Sequence, residues 1–281
     1  MFRTMVCRWS CGRCRFVAWT RDRAEMAEVT GSHLLSHHSD ALSTSDFRVS
    51  WDCPYCVTAK TAYDTDGAVS EFKSHLHEHV AEHITDDVHV ADQIGWDGVI
   101  RVNASATTDE ADTLRAHFHD AAGLVIAVTP TPERLVRALD TQLATWPRRT
   151  VIVSTGEYDF DATSDVAFAD RNVEIVELDP RLSPQEVGET ISRILDANHR
   201  SGERVSVELS MFHQIVAVFE VQRAVEFIRM LVARLDDTDG VLQLYADGDA
   251  DRNVATVLNF LDETIDLTVS VDDGHFIETR R

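Results

Sequence analysis

The chain has 281 residues, 26 of them basic and 48 acidic, for a net charge of -22. That length allows a sizeable core in one or two domains. No apolar run approaches a membrane span, no signal-peptide pattern opens the chain, and five cysteines with metal-type spacing argue against a disulfide framework. A cytoplasmic protein with no membrane association is expected.

The charge is unevenly placed. Residues 1–23 hold six arginines against Asp22, residues 24–90 are net -9, and residues 91–281 are net -18. The two lysines, Lys60 and Lys73, both lie in the first third. The acid excess is otherwise spread along the chain and identifies no cationic partner by itself.

An internal repeat dominates the first 90 residues. Cys11, Cys14, His33 and His37 read C-x2-C-x18-H-x3-H, and Cys53, Cys56, His75 and His79 repeat that spelling 42 positions later. Trp9 and Trp51 each precede the first cysteine by two residues. Two thiolates from a tight knuckle and two imidazoles on one helical face suit tetrahedral zinc, so two structural Zn2+ ions are expected. A redox Cys-x-x-Cys pair calls for no histidines. His38 competes with His37, and His77 and His83 compete in the second copy; the register of the repeat favours 33/37 and 75/79. Both sets are four-coordinate and closed, which leaves no position for a catalytic water.

In chain order, the first copy predicts a strand over 15–19 and a helix over 25–38. The second predicts a strand over 57–63, a turn at Asp64–Gly67 and a helix from Ala68 to about Ile84 carrying Phe72, His75, His79 and His83. These copies resemble C2H2 zinc fingers in ligand order, with a gap between ligand pairs longer than the roughly 12 residues of the common finger. The resemblance implies metal-dependent folding and a contact to protein or nucleic acid. The arginines of the first copy make it the one suited to a phosphate backbone.

The texture changes after residue 88. Thr107 with Glu110 opens a helix through Leu114, Phe118 and Ala121, and a buried strand follows at 123–129. Thr131-Pro132 starts the next helix, with Leu135, Val136, Leu139 and Leu143 inward. Strands are predicted at 151–155, 173–178, 204–210, 241–246 and 265–271, with an edge strand at 276–279. Helices are predicted from Ser183, over 212–235 as one long element, and over 251–261. This alternation predicts an α/β domain with a mostly parallel sheet covered by helices on both faces. The domains are expected at 1–42 and 43–88, two ββα-like zinc units, and at 89–281.

The third domain resembles the RecA/KaiC-like P-loop ATPase superfamily, through its strand order, the strand RVSVELS at 204–210 and the helix after it. It is similar to degenerate haloarchaeal members, as is the acidic, lysine-poor composition. The resemblance places Glu208 where a magnesium-coordinating strand carboxylate lies. Yet TPTPERLVRAL at 129–139 has no glycine, and no lysine occurs after residue 73. A phosphate-binding loop needs both, so loss of P-loop hydrolysis is expected, with Glu208 held by a neighbouring side chain.

Asp247-Gly-Asp-Ala-Asp251 begins like a calcium loop, but its twelfth position is Leu258; a strand-to-helix turn with Asp249 or Asp251 as N-cap is the simpler reading. His117, His119, His199 and His213 read as surface or core histidines. Glu157, Asp159 and Asp161 read as a solvated loop beyond a strand end, and Cys7 has no activating base. The expected function is a zinc-dependent, non-enzymatic regulatory or scaffold protein with a protein partner. The alternatives are a DNA-binding transcription regulator and an enzyme with a non-standard nucleotide site.

Overall fold

The computed structural model describes residues 7–38, 42–45, 48–155, 172–179, 181, 183–247, 251–272 and 275–280. Glu157, Asp159 and Asp161, and residues 248–250 of the aspartate-rich turn, lie outside these. The chain divides into two compact units, Met5–Val88 with His275–Glu278, and Met1–Thr4 with His89–Gly274 and Thr279–Arg281.

The first unit realises the 42-residue repeat in three dimensions. Strands β1 (Cys7–Ser10) and β2 (Val17–Thr20) precede helix α1 (Arg23–His38). After β3 (Leu42–Ser45), strands β4 (Arg48–Asp52) and β5 (Ala59–Ala62) precede helix α2 (Thr65–Glu78), and β6 (Thr85–Asp86) closes the segment. Trp9 pairs with Ala18 across one hairpin and Trp51 with Lys60 across the other, the same register 42 residues apart. Each knuckle is closed by the same backbone bond, Cys11 N to Phe16 O at 2.9 Å and Cys53 N to Thr58 O at 2.8 Å. Asp22 and Asp64, also equivalent, cap the two helices through their carboxylates.

The helices pack on each other rather than standing apart. A Cβ at Gly31 would lie 2.8 Å from the Cβ of Lys73, so glycine is what permits the approach. Residues 31 and 73 are equivalent positions of the repeat, as expected for a two-fold-like contact. A single apolar cluster joins Trp9, Met26 and Leu34 of the first copy to Trp51, Phe72 and Leu76 of the second. Helix α2 stops at Glu78 instead of reaching Ile84, and a short 3-10 turn, Ala81–His83, follows. His83 therefore leaves the face that carries His75 and His79.

The second unit is α/β. In chain order it contains β7 (Gly98–Asn103), α3 (Asp109–Asp120), β8 (Leu124–Val128), α4 (Pro132–Gln142), β9 (Arg149–Ser154), β10 (Val173–Glu177), α5 (Pro184–Asn198), β11 (Val205–Leu209), α6 (Phe212–Phe219), α7 (Val221–Leu235), β12 (Gly240–Tyr245), α8 (Arg252–Phe260) and β13 (Leu267–Asp272). Its strands run in the order β10-β9-β8-β11-β12-β7-β13, and every pairing is parallel. Alternate residues of β8, β11 and β12 face a core built with α5, α6, α7 and α8. The opposite parity of β11 and β12 faces α3. His275–Glu278 of the last strand, β14 (His275–Arg280), belong to the first unit and pair there antiparallel with β2, Phe276 opposite Trp19.

Three sequence expectations shift. Strand β7, paired on both sides by β12 and β13, is not expected from the sequence: its apolar run is short and broken by Arg101. Helix α3 is capped by Thr108, whose hydroxyl accepts from Ala111 N, rather than by Thr107. The single helix over 212–235 is two, broken at Glu220, with φ 63° and ψ 160°. The stripe explains the break. Helix α6 buries Phe212, Ile215, Val216 and Phe219; carried on at helical spacing, that face would bring Arg223 and Glu226 inward. The break rotates the chain so that Ala224, Ile228, Leu231 and Leu235 turn to the core instead.

Glu220 is exposed and sits in backbone space that favours glycine. Glu220→Gly is expected to raise the unfolding free energy by about 1 kcal/mol, and Glu220→Ala to leave it unchanged, in denaturant titrations at constant salt. Of the two expected caps, Asp251 is the one that caps α8, accepting from Asn253 N and Val254 N.

Candidate metal centres and the buried strand carboxylate

Each knuckle and helix end bring two thiols and two imidazoles together. The groups are Cys11, Cys14, His33 and His38, and Cys53, Cys56, His75 and His79, with ligand atoms within 4.8 Å of one another. In the first, Cys14 Sγ lies 3.4 Å from His33 Nε2 and Cys11 Sγ 3.3 Å from His38 Nε2. In the second, both S···N separations are 3.3 Å and the two Nε2 atoms are 3.2 Å apart. Tetrahedral zinc has S···N edges of about 3.5 Å and N···N edges of about 3.3 Å, from metal–ligand bonds of about 2.3 and 2.05 Å. The donor sets therefore fit zinc, and both groups could hold a zinc ion.

The structure groups His38, in place of the expected His37, with Cys11, Cys14 and His33. Helix α1 ends at His38, and there the final turn carries the fifth residue after His33 toward Cys11, while His37 is exposed. Spacings of three to five between histidines all reach one metal, so the register of the repeat did not decide between them. His38→Ala is expected to lower bound zinc from two ions to one per chain, and His37→Ala to leave two, in native mass spectra. Of the other competitors, His77 Nδ1 is 2.8 Å from Thr30 Oγ1 on α1, so it serves the helix pair.

The surroundings act unequally on the thiols, and burial holds Cys11 and Cys53 above the ordinary thiol value. Backbone N–H groups of Phe16 and Tyr55 donate to Cys14 and Cys53. Cys56 is pulled down to about 6, chiefly by hydrogen bonding from Thr58, with His75 contributing. Trp9 packs edge-on to His33 at 5.8 Å and Phe16 stacks on it at 3.9 Å; Trp51 packs 5.3 Å from His75. The two repeated tryptophans thus hold the first histidine of each set. Cys7, by contrast, is pushed up to about 11 by burial and by Asp86, so it is not poised to react.

The arginines of the first copy are engaged within the unit. Arg8 reaches Glu278 at 3.4 Å, Arg21 binds Glu25, Arg23 binds Asp86, and Arg13 lies 4.3 Å over the Tyr55 ring. Arg15 is exposed, and Arg3 lies outside the described residues.

In the α/β unit, Glu208 is fully buried on the sheet face opposite the α5–α8 core. Arg115 Nε donates to one oxygen at 2.8 Å and His119 Nε2 lies 2.9 Å from the other. The network continues from His119 Nδ1 to Ser206 Oγ, to Gln243 and to the Tyr245 hydroxyl. Arg115 also binds Asp112 and the carbonyl of Ala106, in the turn after β7. Burial alone would raise the pKa of Glu208, but Arg115 and His119 outweigh it and bring it down to about 2. Both partners come from α3. Their i, i+4 spacing is the sequence signal for this cluster, and His119 is a core histidine whose partner in Glu208 the sequence does not reveal.

Neither a family model nor a curated protein matches the chain. A structural-study target from Pyrococcus horikoshii OT3 aligns with a TM-score of 0.41 at 13% identity, over 65% of this chain and 85% of its own. A likeness of that size carries no argument about function. No helix among the described residues is long and apolar enough to cross a membrane.

Proposed function

We propose that the protein is a zinc-dependent, non-enzymatic regulatory or scaffold protein of the cytoplasm that works through a protein partner. Two structural zinc ions hold the first unit, and the α/β unit is a degenerate RecA/KaiC-like domain of haloarchaeal type without a working phosphate-binding loop. The observation that carries this reading is the state of Glu208. A carboxylate serving magnesium must turn an oxygen to the ion, whereas both oxygens of Glu208 are occupied by Arg115 and His119. The turns after β7 (103–108) and after β8 (129–131) contain neither glycine nor lysine.

The transcription-regulator reading is weaker. Four arginines of the basic segment are engaged by carboxylates or a ring, and the two helices that would read a groove pack on each other. Titration of the full chain with ATP and magnesium in molar KCl is expected to give no heat of binding. Micromolar affinity would instead establish a non-standard nucleotide site. Duplex DNA under the same conditions is expected to leave the protein unbound with its zinc retained.

A further inference from the structure

The α/β unit begins with a 3-10 turn, Val90–Ile94, that is held in an unusual way. Two imidazoles accept hydrogen bonds from its first backbone N–H groups. His89 Nδ1 accepts from Ala91 N at 3.0 Å and His117 Nε2, on α3, accepts from Val90 N at 3.1 Å. His89 Nε2 in turn donates to the carbonyl of His117 at 2.8 Å. Each ring is therefore neutral with its tautomer set, since a nitrogen facing an N–H carries a lone pair. Ser, Asp or Asn ordinarily fills such a capping place, and those acceptors keep their lone pairs at mildly acidic pH.

The rings are also stacked face to face, 4.0 Å apart at 13°. Trp96 stacks on the other side of His89 at 4.8 Å, and the Arg204 guanidinium lies 4.8 Å over Trp96. Trp96 has φ 58°, a left-handed conformation that a bulky residue keeps only where its surroundings enforce it. The charged groups facing the rings are Asp92 from the turn and Arg204 from the head of β11. Asp92 accepts from Trp96 Nε1 at 2.8 Å and lies 3.5 Å from Arg204. His117 is buried, and its Nδ1 has no hydrogen-bond partner among the described residues.

We infer that residues 89–96 form an acid-released clasp at the start of the α/β unit. The imidazoles of His89 and His117 hold the turn while both are neutral, and protonation of either frees it. A proton on His89 Nδ1 or His117 Nε2 places a donor against a backbone donor, and two charged rings in stacking contact repel. Loss of the stack also removes what keeps Trp96 in its strained conformation. The direction of titration agrees: burial drives both rings below the ordinary imidazole value, His89 to about 4. Since the opened segment regains ordinary histidines, opening is favoured about tenfold per pH unit for each imidazole as pH falls below about 6.5.

Hydrogen exchange of the full zinc-loaded chain between pH 7 and 5, corrected for intrinsic exchange rates, tests this. Peptides covering 89–97 are expected to lose protection on acidification by at least tenfold per unit, while peptides of β8 and β11 keep theirs. The variant His89→Asn with His117→Gln puts an uncharged amide oxygen in place of each ring acceptor, and its 89–97 protection is expected to be independent of pH. Equal loss in variant and wild type overturns the clasp, as does loss only in step with β8 and β11. Should the variant not fold, histidine-labelled wild type decides by NMR: an ordinary titration of His89, or a proton on its Nδ1 at pH 7, is the overturning result.

Discussion

Chelation of the purified protein is expected to release two zinc ions per chain and to unfold residues 7–86, while the parallel sheet of the α/β unit persists. A structural zinc contributes on the order of 10 kcal/mol or more of apparent binding free energy. The first unit has little to replace it. Its apolar cluster is small, and three of its members, Cys7, Cys11 and Cys53, are cysteines. Two of those are candidate ligands, so metal and core are the same atoms. The contact of Gly31 with Lys73 adds a second expectation. Because the two copies share one core, Cys56→Ser should remove one ion yet loosen both copies, which independent fingers would not do. Native mass spectrometry counts the ions, and hydrogen exchange of α1 and α2 reports the coupling. Fully folded protein with fewer than two ions would falsify the metal assignment.

Substitution of Glu208 by alanine is expected to destabilise the α/β unit by about 3–5 kcal/mol, because it strands Arg115 and His119 in the interior without their anion. Arg115 is itself held well above its ordinary value although burial works against it, with Glu208 the main counter-charge. The combined change of Glu208→Leu and Arg115→Met removes both charges of the pair and is expected to cost less than Glu208→Ala alone. The same pair sets an acid limit. The folded pKa of Glu208, about 2, is below its ordinary value of 4.5. Its contribution is therefore complete above about pH 4.5 and is lost as pH falls toward 2, a change of about 3 kcal/mol. Denaturant midpoints measured from pH 5 down to pH 2.5 should fall with a slope that Glu208→Gln reduces. An unchanged slope would show that the carboxylate is not the group being titrated.

Much of the first unit was legible in the sequence because metal ligation is a matter of donor type and short spacing. A knuckle closes over two intervening residues, and imidazoles one helical turn apart share a face, so the sequence alone groups Cys53, Cys56, His75 and His79. The 42-residue offset also predicted equivalent tryptophans, and both are buried against the first histidine of their set. In the α/β unit, alternation of apolar runs and amphipathic segments was enough for fold class, since a parallel sheet buried on both faces demands it. Helix starts at Thr131, Ser183 and Asp251 followed from local chemistry too.

What needed the tertiary structure was every choice among residues that local geometry treats as equal. His37 and His38 are both within reach of a metal by spacing; the end of α1 brings His38 to the other three groups. Nothing in the pattern of either finger states that its helix packs on the other, because that depends on a glycine at 31 meeting Lys73 from the distant copy. Strand β7 is short and carries an arginine, and only its neighbours β12 and β13 make it an interior strand. Arg115 and His119 lie about ninety residues from Glu208, and His89 lies 28 from His117. Local spacing thus determined where a metal could bind and which segments would be strands or helices. The fold decided which polar groups meet in the interior, because the free energy of a buried charge or imidazole is set by partners that sequence proximity does not reveal.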